Sequence, residues 1–515
     1  MKKRDLLSYA TPHYEDNELL ELEHAVLYAT RHHEGQKRKS GEPYIIHPLH
    51  VAYTLIEWGM DIDTVLAGVL HDTVEDTDAT LEEIESLFGR DVAFLVDGVT
   101  KVSQARAGMR NLESYLPQTT DNLSKLLIAV GQDVRVIIIK LADRLHNLST
   151  LQYMKPEKQI KIARESLEVF APMADRLGMG RVRMQIEELA FSYLDPAEFK
   201  RLQNLMKKRL GKSTRKLGIV RGEVEQALKR NKLSFEVNGR VKSIYSLYKK
   251  MKKVDNNIED IYDLIALRVV VETKEDCYRV LGILHGLYQP MIARIKDYIA
   301  TPKPNGYQSL HTTVITPNKQ IVEFQIRTYE MHEYAERGLA ASFHYHEQKS
   351  SKNYTKHRPA ASSLPSQLQW ITQLQEVALR IRSGEDISRD QLAVDLFGSR
   401  IFVYSPKGDI YNLPEKALPL DFAYLVHSDV GKHAYSFRVN GSIHAFDKPL
   451  QNGDVVEVVG RKSAYPKQAW LDLVTTSHAR SKIRSQLKKS GAIETISQTT
   501  AIIREKALRR KNNQS

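Results

Sequence analysis

The feature that most constrains the fold is a change in hydrophobic periodicity near residue 215. Before this point, apolar residues such as Leu66, Val69 and Leu70 recur at three- and four-residue spacing, which is typical of amphipathic helices. After it, the β-branched run LIALRVVVE and the alternating run IVEFQIRT are separated by helix-like segments such as YRVLGILHGLY. The sequence therefore predicts helices up to about residue 200, followed by an α/β domain.

The C-terminal third has a different composition and a different hydrophobic pattern. The polar, Pro/Ser-rich stretch 349–366 is predicted to be a linker or exposed loop, followed by a further helix. Beyond it, IFVYSPKGDIYNLP is typical of two strands joined by a turn, and VNGSIHAFDKPLQNGDVVEVV of two more short strands with glycine turns. We therefore predict a small β-rich module over 394–461 and a basic, helical remainder over 462–515.

Composition limits the class of protein. With 515 residues, 42% of them hydrophobic and 27% charged, the chain can bury several separate cores. No apolar run approaches the roughly 20 residues that span a bilayer, and the N-terminus has no signal-peptide core, so we expect a cytoplasmic protein with no membrane partner. The single cysteine, Cys277, excludes a disulfide framework and a cysteine-based zinc site.

Positive charge is concentrated near the C-terminus. The formal net charge is +12, and residues 475–515 hold ten Lys and Arg against two Glu. Such a segment favours a polyanionic partner, but it is equally typical of a solubilising tail.

In the stretch HDTVEDT at 71–77, the acidic pair Glu75 and Asp76 follows His71 and Asp72 by one helical turn. Residues four apart share one face of a helix, so these side chains and those of Glu75 and Asp76 are predicted to point the same way, opposite an apolar face. Taken alone, the pattern is more typical of a solvated helix face than of a functional site.

Two further segments favour a metal site. His47 lies in GEPYIIHPLHVA, and Asp143 lies in the apolar helix pattern VRVIIIKLADRLHNLST, with Asn147 on its face. A buried aspartate must be paired or bind a cation, because desolvating an isolated carboxylate costs several kcal/mol. Two imidazoles and two carboxylates suit manganese, iron or zinc with open positions for water. Such an ion lowers the pKa of its water to about 7, and Glu75 and Asp76 are placed to move the proton.

A second candidate site involves IVEFQIRT, whose alternation puts Glu323, Gln325 and Arg327 on one face of a strand. The alternative is an edge strand with that face in water. Asp263 precedes the strand LIALRVVVE, where its carboxylate could reach a cation. Two carboxylates with magnesium suit phosphoryl-group transfer.

Phosphates also need positive charge, and the sequence has no GxxxxGK[ST] loop to supply it. We expect the charge from GRVKSIYSLYKK, on a helix and its entry, and from the loop RIKDYIATPKPNGYQSLHT; alternatively, these are solvated basic stretches. The candidate cations are Arg240, Lys242, Lys249, Lys250, Arg294, Lys296 and Lys303. Tyr307 follows the Asn-Gly turn and could stack on a base.

The strings RHHEGQKRKSGEPYIIHPLHVA, HDTVEDT, FLVDGVTKV and LADRLHNLSTL resemble the HD hydrolase domain of the long RelA/SpoT-type alarmone enzymes. The resemblance implies that Glu75 and Asp76 carry out hydrolysis. It implies Mn²⁺ held by His47, His71, Asp72 and Asp143. It also implies a nucleotide pocket that includes Arg38, Lys39, Asn147 and Thr150.

The strings IYDLIALRVVV, RIKDYIATPKPNGYQSLHTTV and VEFQIRTYEMHEYAERG are similar to the synthetase domain of the same family. The resemblance implies that Asp263 binds Mg²⁺, that Glu323 activates the 3′-hydroxyl of GDP or GTP, and that Tyr307 stacks on guanine. The basic residues would hold the ATP phosphates. The nucleotide site is expected to contain Arg240, Lys242, Lys250, Arg294, Lys296, Lys303, Tyr307, Gln308, His311, Gln325 and Arg327.

Two details of this domain bear on its activity. The RIKD form is the one carried by bifunctional members of the family, which favours both activities in one chain. The family usually continues with Ala-Ala-His-Trp, whereas this sequence has AASFHYHEQ, so His344 comes two places late.

The stretch from IFVYSPKGD to NGDVVEV is similar to the TGS domain of these enzymes, a β-grasp fold. In the family a histidine after Val-Gly contacts the tRNA acceptor end; here Lys432 occupies that place and His433 follows, so both are candidate RNA-binding residues. Candidate RNA contact is thus expected from this domain and from the basic tail. Because the sequence ends at Ser515 without the family's zinc-finger or RNA-recognition-like and ACT modules, ribosome coupling is not expected.

Together these observations predict a multidomain α and α/β protein. Its expected parts are an all-α HD hydrolase domain with a helical connector (1–200), an α/β nucleotidyltransferase-like synthetase domain (201–348), a linker and helix (349–393), a small β-grasp TGS domain (394–461) and a basic helical tail (462–515).

The expected function is bifunctional. One site would hydrolyse (p)ppGpp to GDP or GTP and pyrophosphate, and the other would transfer pyrophosphate from ATP to GTP or GDP. The alternatives are a hydrolase whose second domain only binds nucleotide, and an RNA-binding sensor with both sites vestigial. The intact HD and ED pairs, with Asp263 and Glu323, argue against the sensor.

Overall fold

The structure, a computed structural model, describes residues 3–108, 133–252, 265–303, 305–338, 340 and 400–489. The chain divides into two units, residues 1–379 and 380–515. Across the described ranges, no helix has the combination of length and apolar composition that crossing a membrane requires.

The first part of unit one is helical, as the periodicity predicted. Its helices are α1 (Lys3–Ala10), α2 (Asp16–His32), α3 (Ile46–Glu57), α4 (Ile62–Leu70), α5 (Thr73–Asp76), α6 (Leu81–Phe88), α7 (Arg90–Gly108), α8 (Arg135–Ser149), α9 (Pro156–Glu165), α10 (Ala171–Arg176) and α11 (Gly180–Leu194). A 3₁₀ turn (Leu151–Tyr153) follows α8, and a π-helical turn (Ser166–Phe170) joins α9 to α10.

Two of these helices lie at the centre of the helical part. In α4 every residue from Thr64 to Leu70 is buried, and in α8 every residue from Val136 to Arg144 is buried. Asp61 caps α4 by accepting a hydrogen bond from the backbone N–H of Thr64. Helices enclosed on all sides bring their polar side chains into a dry interior, where those side chains must find partners.

The α/β part of unit one follows. It contains α12 (Pro196–Arg230), β1 (Phe235–Val241), α13 (Ile244–Met251), β2 (Ile265–Val271), α14 (Lys274–Leu287), β3 (Gln289–Pro290), a 3₁₀ turn (Ile292–Arg294), β4 (Lys296–Asp297), β5 (Leu310–Ile315), β6 (Ile321–Thr328) and α15 (Tyr329–Arg337). The strand order is β1-β2-β6-β5-β3, with β4 also paired to β5. Strands β2 and β6 are parallel, and β1 and β5 run antiparallel to them.

Strand β6 is central, so the edge-strand alternative for IVEFQIRT is wrong. It lies between β2 and β5, and Gln325 and Arg327 retain only 5% and 1% of their accessible surface. The segment GRVKSIYSLYKK also differs from its prediction as a helix and its entry. Its first three residues belong to β1, and helix α13 begins only after Ser243, whose hydroxyl caps it.

Unit two contains the predicted β-rich module. Its elements are β7 (Arg400–Tyr404), β8 (Ile410–Pro414), α16 (Pro419–Val426), α17 (Ser428–Lys432), β9 (Ala434–Val439), β10 (Ser442–His444), β11 (Val456–Gly460), α18 (Trp470–Leu473) and α19 (Ser477–Lys489). Strands β7 and β8 form the predicted hairpin, and the second sheet has the order β10-β9-β11. The sequence analysis did not predict β9. Buried Asp421 accepts hydrogen bonds from the backbone N–H groups of Thr475 and Thr476, which attaches the C-terminal helices to the module.

The helical and α/β parts meet closely at a pair of glycines. Gly338 ends α15 at φ +61°, and Gly178, at φ +72°, lies in the turn between α10 and α11. A Cβ at position 338 would collide with the backbone oxygen of Leu177 and the backbone nitrogen of Met179. Glycine is therefore required at position 338 both by backbone conformation and by space.

We predict that Gly338→Ala lowers the free energy of unfolding by about 2–4 kcal/mol, because it combines a left-handed backbone with a steric clash. Urea denaturation would measure the change. Gly180→Ala is the control, since a Cβ there would meet only the Ala335 oxygen, at 3.5 Å. If both variants were equally stable, the close approach at Gly338 would be contradicted.

Candidate functional site

The predicted metal ligands come together where three elements of the helical part meet. His47 lies on α3, His71 and Asp72 lie between α4 and α5, and Asp143 lies on α8. All four are buried, with at most 8% of their surface accessible. The expectation of one continuous helix through HDTVEDT is corrected: α4 ends at Leu70 and α5 begins at Thr73. This interruption leaves His71 and Asp72 inside, whereas Glu75 and Asp76 are exposed.

The distances are those of a potential coordination cluster. Ligand atoms of His47, His71 and Asp143 all lie within 4.8 Å of one another. His47 Nε2 is 3.2 Å from Asp143 Oδ1 and 3.5 Å from Asp72 Oδ2. Asp72 Oδ1 is 3.1 Å from His71 Nε2. The four predicted ligands therefore surround one small volume.

The ring nitrogen of His71 fits a cation in that volume. Its Nδ1 is 2.8 Å from the carbonyl oxygen of Gly68, which can only accept, so Nδ1 carries the proton. In the neutral imidazole, Nε2 then carries the lone pair; it is buried, and it makes no hydrogen bond of acceptable geometry despite its closeness to Asp72. A divalent ion would satisfy this orphaned nitrogen, as backbone-anchored histidines do in metal sites.

A similar argument fixes the tautomer of His47. Arg38 Nη1 lies 3.0 Å from His146 Nδ1, and because a guanidinium only donates, that nitrogen must accept. His47 Nδ1 lies 2.8 Å from the same acceptor, so it carries the proton and Nε2 faces Asp143 as a lone pair. Burial, together with the neighbouring His47 and Arg38, lowers the pKa of His146 to about 2, so His146 stays neutral and able to accept.

The carboxylates are held by other side chains. The Tyr44 hydroxyl lies 2.8 Å from Asp72 Oδ2 and 2.9 Å from Asp76 Oδ2, within hydrogen-bond distance of both. Tyr44 therefore connects the buried Asp72 to the exposed Asp76. Lys140 lies 3.2 Å from Asp143 Oδ2. Although burial opposes ionisation, the ammonium group of Lys140 holds the pKa of Asp143 well below its usual range.

The residues expected in the nucleotide pocket of this part lie beside the cluster. Arg38 Nη2 donates to Asn147 Oδ1 at 2.7 Å, and Asn147 donates in turn to Asp143. Thr150 ends the same helix as Asn147, and Lys39 is exposed next to Arg38. A ligand reaching Arg38 would therefore lie within two hydrogen bonds of the metal cluster.

The second candidate site is built across the sheet of the α/β part. The strand register places His311 of β5 opposite Gln325 of β6 and opposite Lys296 of β4. Arg240 of β1 donates to Gln325 Oε1 at 2.7 Å, and Gln325 donates to Glu323 Oε1 at 3.1 Å. Four strands thus contribute to one polar surface that contains Glu323.

Tyr307 closes one side of this surface. Its hydroxyl is 2.8 Å from His311 Nε2, and His311 Nδ1 is 3.6 Å from Glu323 Oε1. Lys303 Nζ lies 5.0 Å from the centre of the Tyr307 ring. Tyr307 therefore lies between Lys303 on one side and His311, which is next to Glu323, on the other.

Positive charge dominates this site. Burial and the nearby cations, Lys303 first among them, lower the pKa of His311 to about 3. Burial and Arg268 lower the pKa of Arg327 to about 10, and its buried Nε makes no hydrogen bond. Burial also lowers the pKa of Lys303. Cations that depress one another's pKa values are stabilised by an anion of several charges.

The other predicted residues divide into three groups. Lys242 precedes α13 and Lys250 belongs to it. Arg294 ends a 3₁₀ turn, and Gln308 precedes β5. Lys249 is paired with Glu187 at 2.9 Å, so its charge is already compensated within the protein. The predicted magnesium ligand Asp263 and the displaced His344 lie outside the described residues.

Sequence reasoning missed Tyr44, Lys140, His146 and Arg268. Tyr44 stands three residues before His47, and His146 three residues after Asp143. Helical spacing from the predicted ligands was the one signal that could have found His146. Nothing in the local sequence separates Tyr44 or Arg268 from ordinary structural residues.

In unit two, the candidate RNA-binding residues lie beside exposed aromatic rings. Lys432 Nζ is 5.2 Å from the centre of the Tyr465 ring, and the His433 ring centre is 5.9 Å from it. Arg461 lies over Tyr435 at 4.7 Å. Both tyrosines are more than half exposed. Basic groups and accessible aromatic faces are thus adjacent on this module.

Three family descriptions match the chain. "HD domain" matches residues 25–180, "Region found in RelA / SpoT proteins" matches 239–350, and "TGS domain" matches 401–460. The first two contain the two sites described above.

Full-length relatives match across all three regions. The guanosine-3′,5′-bis(diphosphate) 3′-pyrophosphohydrolase of Aquifex aeolicus is 42% identical over 94% of this chain and 66% of its own length. The GTP pyrophosphokinase of Streptomyces coelicolor is 44% identical over 97% of this chain and 59% of its own length. The bifunctional (p)ppGpp synthase/hydrolase SpoT of Escherichia coli is 40% identical over 92% of this chain and 65% of its own length. The chain thus spans about three fifths to two thirds of the length of these relatives.

We predict that His146→Ala weakens Mn²⁺ binding by about 10- to 100-fold, because the N–H of His47 loses the acceptor that fixes its tautomer. Titration calorimetry with Mn²⁺ alone, without nucleotide, would measure this. His285→Ala, in the α/β part, is the control and should bind Mn²⁺ normally. Unchanged affinity in His146→Ala would contradict the proton arrangement assigned to His47.

Proposed function

We propose that this chain, which belongs to the RelA/SpoT family, both removes the 3′-pyrophosphate of (p)ppGpp and makes (p)ppGpp from ATP and GTP or GDP. The observation that carries the hydrolase proposal is the buried lone pair of His71 facing His47 and Asp143. The group of cations around Glu323, which lowers the pKa of His311, supports the synthetase proposal. The names of the relatives, which include both activities, support the combination.

For hydrolysis, we assign His47, His71, Asp72 and Asp143 as metal ligands. The ion would supply a water of lowered pKa. Tyr44 holds Asp72 and Asp76 together, so Asp76 lies next to the ligand set, where it and Glu75 can take the proton of that water. Attack on the phosphorus bonded to the 3′-oxygen breaks the P–O3′ bond, and pyrophosphate leaves as the 3′-hydroxyl regains a proton.

The same site is expected to hold the nucleoside. Arg38 and Asn147 are already joined by a hydrogen bond, and Thr150 and Lys39 lie beside them. Their positions place a bound guanosine next to the ligand cluster, which fixes the scissile bond relative to the water.

For synthesis, we assign Glu323 to the 3′-hydroxyl of GTP or GDP. The carboxylate accepts the hydroxyl proton while the oxygen attacks the β-phosphorus of ATP, and AMP leaves with the bridging oxygen. Arg240, Lys296 and Lys303 neutralise the phosphates, and Tyr307 stacks on guanine. Gln325, bound to both Arg240 and Glu323, keeps the cation and the carboxylate at a fixed separation.

We assign Mn²⁺ to the first site and Mg²⁺ to the second. Two imidazoles favour a transition metal over magnesium at the first, whereas a site built for ATP phosphates with oxygen ligands suits magnesium. The protein would act in the cytoplasm, where its nucleotide substrates occur.

The decisive experiment compares two variants of the full chain. We predict that His71→Ala/Asp72→Ala abolishes Mn²⁺-dependent release of pyrophosphate from pppGpp but leaves synthesis largely intact. Glu323→Gln should lower synthesis about 100-fold or more, because it keeps the shape but loses the base, and should leave hydrolysis intact. Nucleotide chromatography with each metal would measure both reactions.

The unmodified chain provides the reference for this comparison. Loss of both activities in either variant would indicate misfolding or a shared site, contrary to the assignment. If the unmodified chain hydrolysed pppGpp but made none from ATP and GTP in Mg²⁺, the second domain would be a nucleotide-binding domain only, and the alternative function would replace the main one.

We also propose that the TGS module contacts RNA through Lys432 and His433. The accessible Tyr465 ring beside them supports this, since bases stack on exposed aromatic faces. Tyr465→Ala should weaken binding of a deacylated tRNA about ten-fold or more in fluorescence anisotropy. Tyr404→Ala, at the end of β7, is the comparison; equal affinities of the two variants would rule out the stacking contact.

A further inference from the structure

Helix α12 (Pro196–Arg230) has two unlike faces. Its apolar residues recur at three- and four-residue spacing and are buried against the rest of unit one. They include Leu202, Met206, Val220, Val224 and Leu228. At 35 residues the helix is about 52 Å long.

The sequence of α12 is strongly basic. The helix contains eleven Lys and Arg against three Glu, a surplus as large as that of the C-terminal tail. Arg201 and Arg221 are paired with Glu198 and Glu225 of the same helix. Lys200, Lys207 and Lys229 are exposed, and their spacing of seven and then 22 residues keeps them on one face, opposite the buried stripe.

Two glycines lie on the same face. Gly218 lies 11 residues after Lys207 and 11 before Lys229, and Gly222 lies seven before Lys229. Separations of seven and 11 residues correspond to nearly whole numbers of helical turns, so these residues lie on one face. A Cβ at either position would meet no atom within 4 Å. Neither glycine is needed for packing or for a left-handed backbone, although glycine is among the least favourable residues inside a helix. Glycine at such positions allows a partner's backbone to approach the helix closely.

We propose that this face of α12, defined by Lys200, Lys207, Gly218, Gly222 and Lys229 together with the neighbouring exposed Lys208, binds the phosphate backbone of a nucleic-acid duplex. Lysines at both ends neutralise phosphates, and the glycines let the sugar-phosphate chain lie against the helix backbone. This surface is separate from both nucleotide sites and from the RNA contact proposed for unit two.

Charge and composition favour a duplex over other partners. A second copy of the chain would bring like charges together at the face. A membrane would find little apolar surface, because among the described apolar residues of α12 Ile219 is more than half exposed while the apolar stripe packs against the protein. The one aromatic residue in the helix, Phe199, packs into the core, so the face offers no platform on which single-stranded bases would stack.

The first test changes charge. Lys200→Gln/Lys207→Gln/Lys208→Gln in the full chain should weaken binding of a 20-base-pair RNA duplex roughly ten-fold. It should also reduce the slope of log affinity against log salt by about two to three, as three phosphate contacts are lost. The control, Lys274→Gln/Lys319→Gln/Lys407→Gln, removes equal charge from exposed positions elsewhere. Equal effects of the two triples would show that only net charge matters and would overturn the proposal.

The second test changes shape without changing charge. Gly218→Leu/Gly222→Leu should leave the chain at least as resistant to urea, because leucine favours helix, yet it should weaken duplex binding about ten-fold. Hydrolysis and synthesis, which involve other residues, should be unchanged in both sets of variants. Normal duplex binding by the leucine variant would overturn the role of the glycines.

The remaining outcomes identify a different partner. Binding of the chain to vesicles containing anionic lipid but not to the duplex, with loss of vesicle binding in the lysine triple, would overturn the proposal in favour of a membrane surface. A change in oligomeric state of the leucine variant in analytical ultracentrifugation, with unchanged duplex binding, would overturn it in favour of self-association. A DNA duplex of the same sequence distinguishes general phosphate recognition from preference for RNA.

Discussion

The helical part depends on the burial of ionisable side chains where α3, α4 and α8 meet. Removing His71 and Asp143 from water is unfavourable by several kcal/mol per ion unless every polar atom finds a partner. The protein supplies partners for the outer atoms: Gly68 for His71 and Lys140 for one oxygen of Asp143. The inner atoms, His71 Nε2 above all, remain directed at one another. A divalent cation is what such a set of inner atoms would stabilise.

The site on the sheet has the opposite electrostatic character. The helical site concentrates lone pairs and negative charge, whereas here the buried Arg327 and the half-buried Arg240 lie near the exposed Lys303, and Arg327 is paired with Glu336. Desolvation and neighbouring cations lower the pKa of Lys303 and of Arg327, so a polyphosphate bound there would relieve repulsion. The first site is therefore suited to a cation and the second to an anion of several charges, as the two proposed activities require.

Much of both sites could be predicted from the sequence, because the relevant residues stand out locally. His47 and Asp143 were found because polar residues inside apolar runs must have partners, and Glu323 because alternation exposes one face of a strand. The central position of β6 could not be predicted, since strand order depends on contacts between segments far apart in the chain. His146 was missed for the same reason: its acceptor role requires Arg38 and His47, which lie about 100 residues away. The break between α4 and α5 was missed because residues 71 and 72 keep nearly helical backbone angles while the helix ends.

The two sites also share their supporting structure. Arg144, next to Asp143 on α8, stacks over Phe170 of the π-helical turn and pairs with Glu165. That turn runs directly into α10, where the carbonyl oxygen of Asp175 accepts a hydrogen bond from Asn305.

Asn305 in turn lies two residues before Tyr307, and its own carbonyl oxygen is held by the Tyr334 hydroxyl of α15. The loop that presents Tyr307 is therefore supported from one side by the helical part. Contacts, some of them only partly buried, thus connect α8, through Arg144 and the π-helical turn, to α10 and the Tyr307 loop. The candidate metal ligand Asp143 and the tyrosine of the sheet site are therefore held by adjoining parts of one structure.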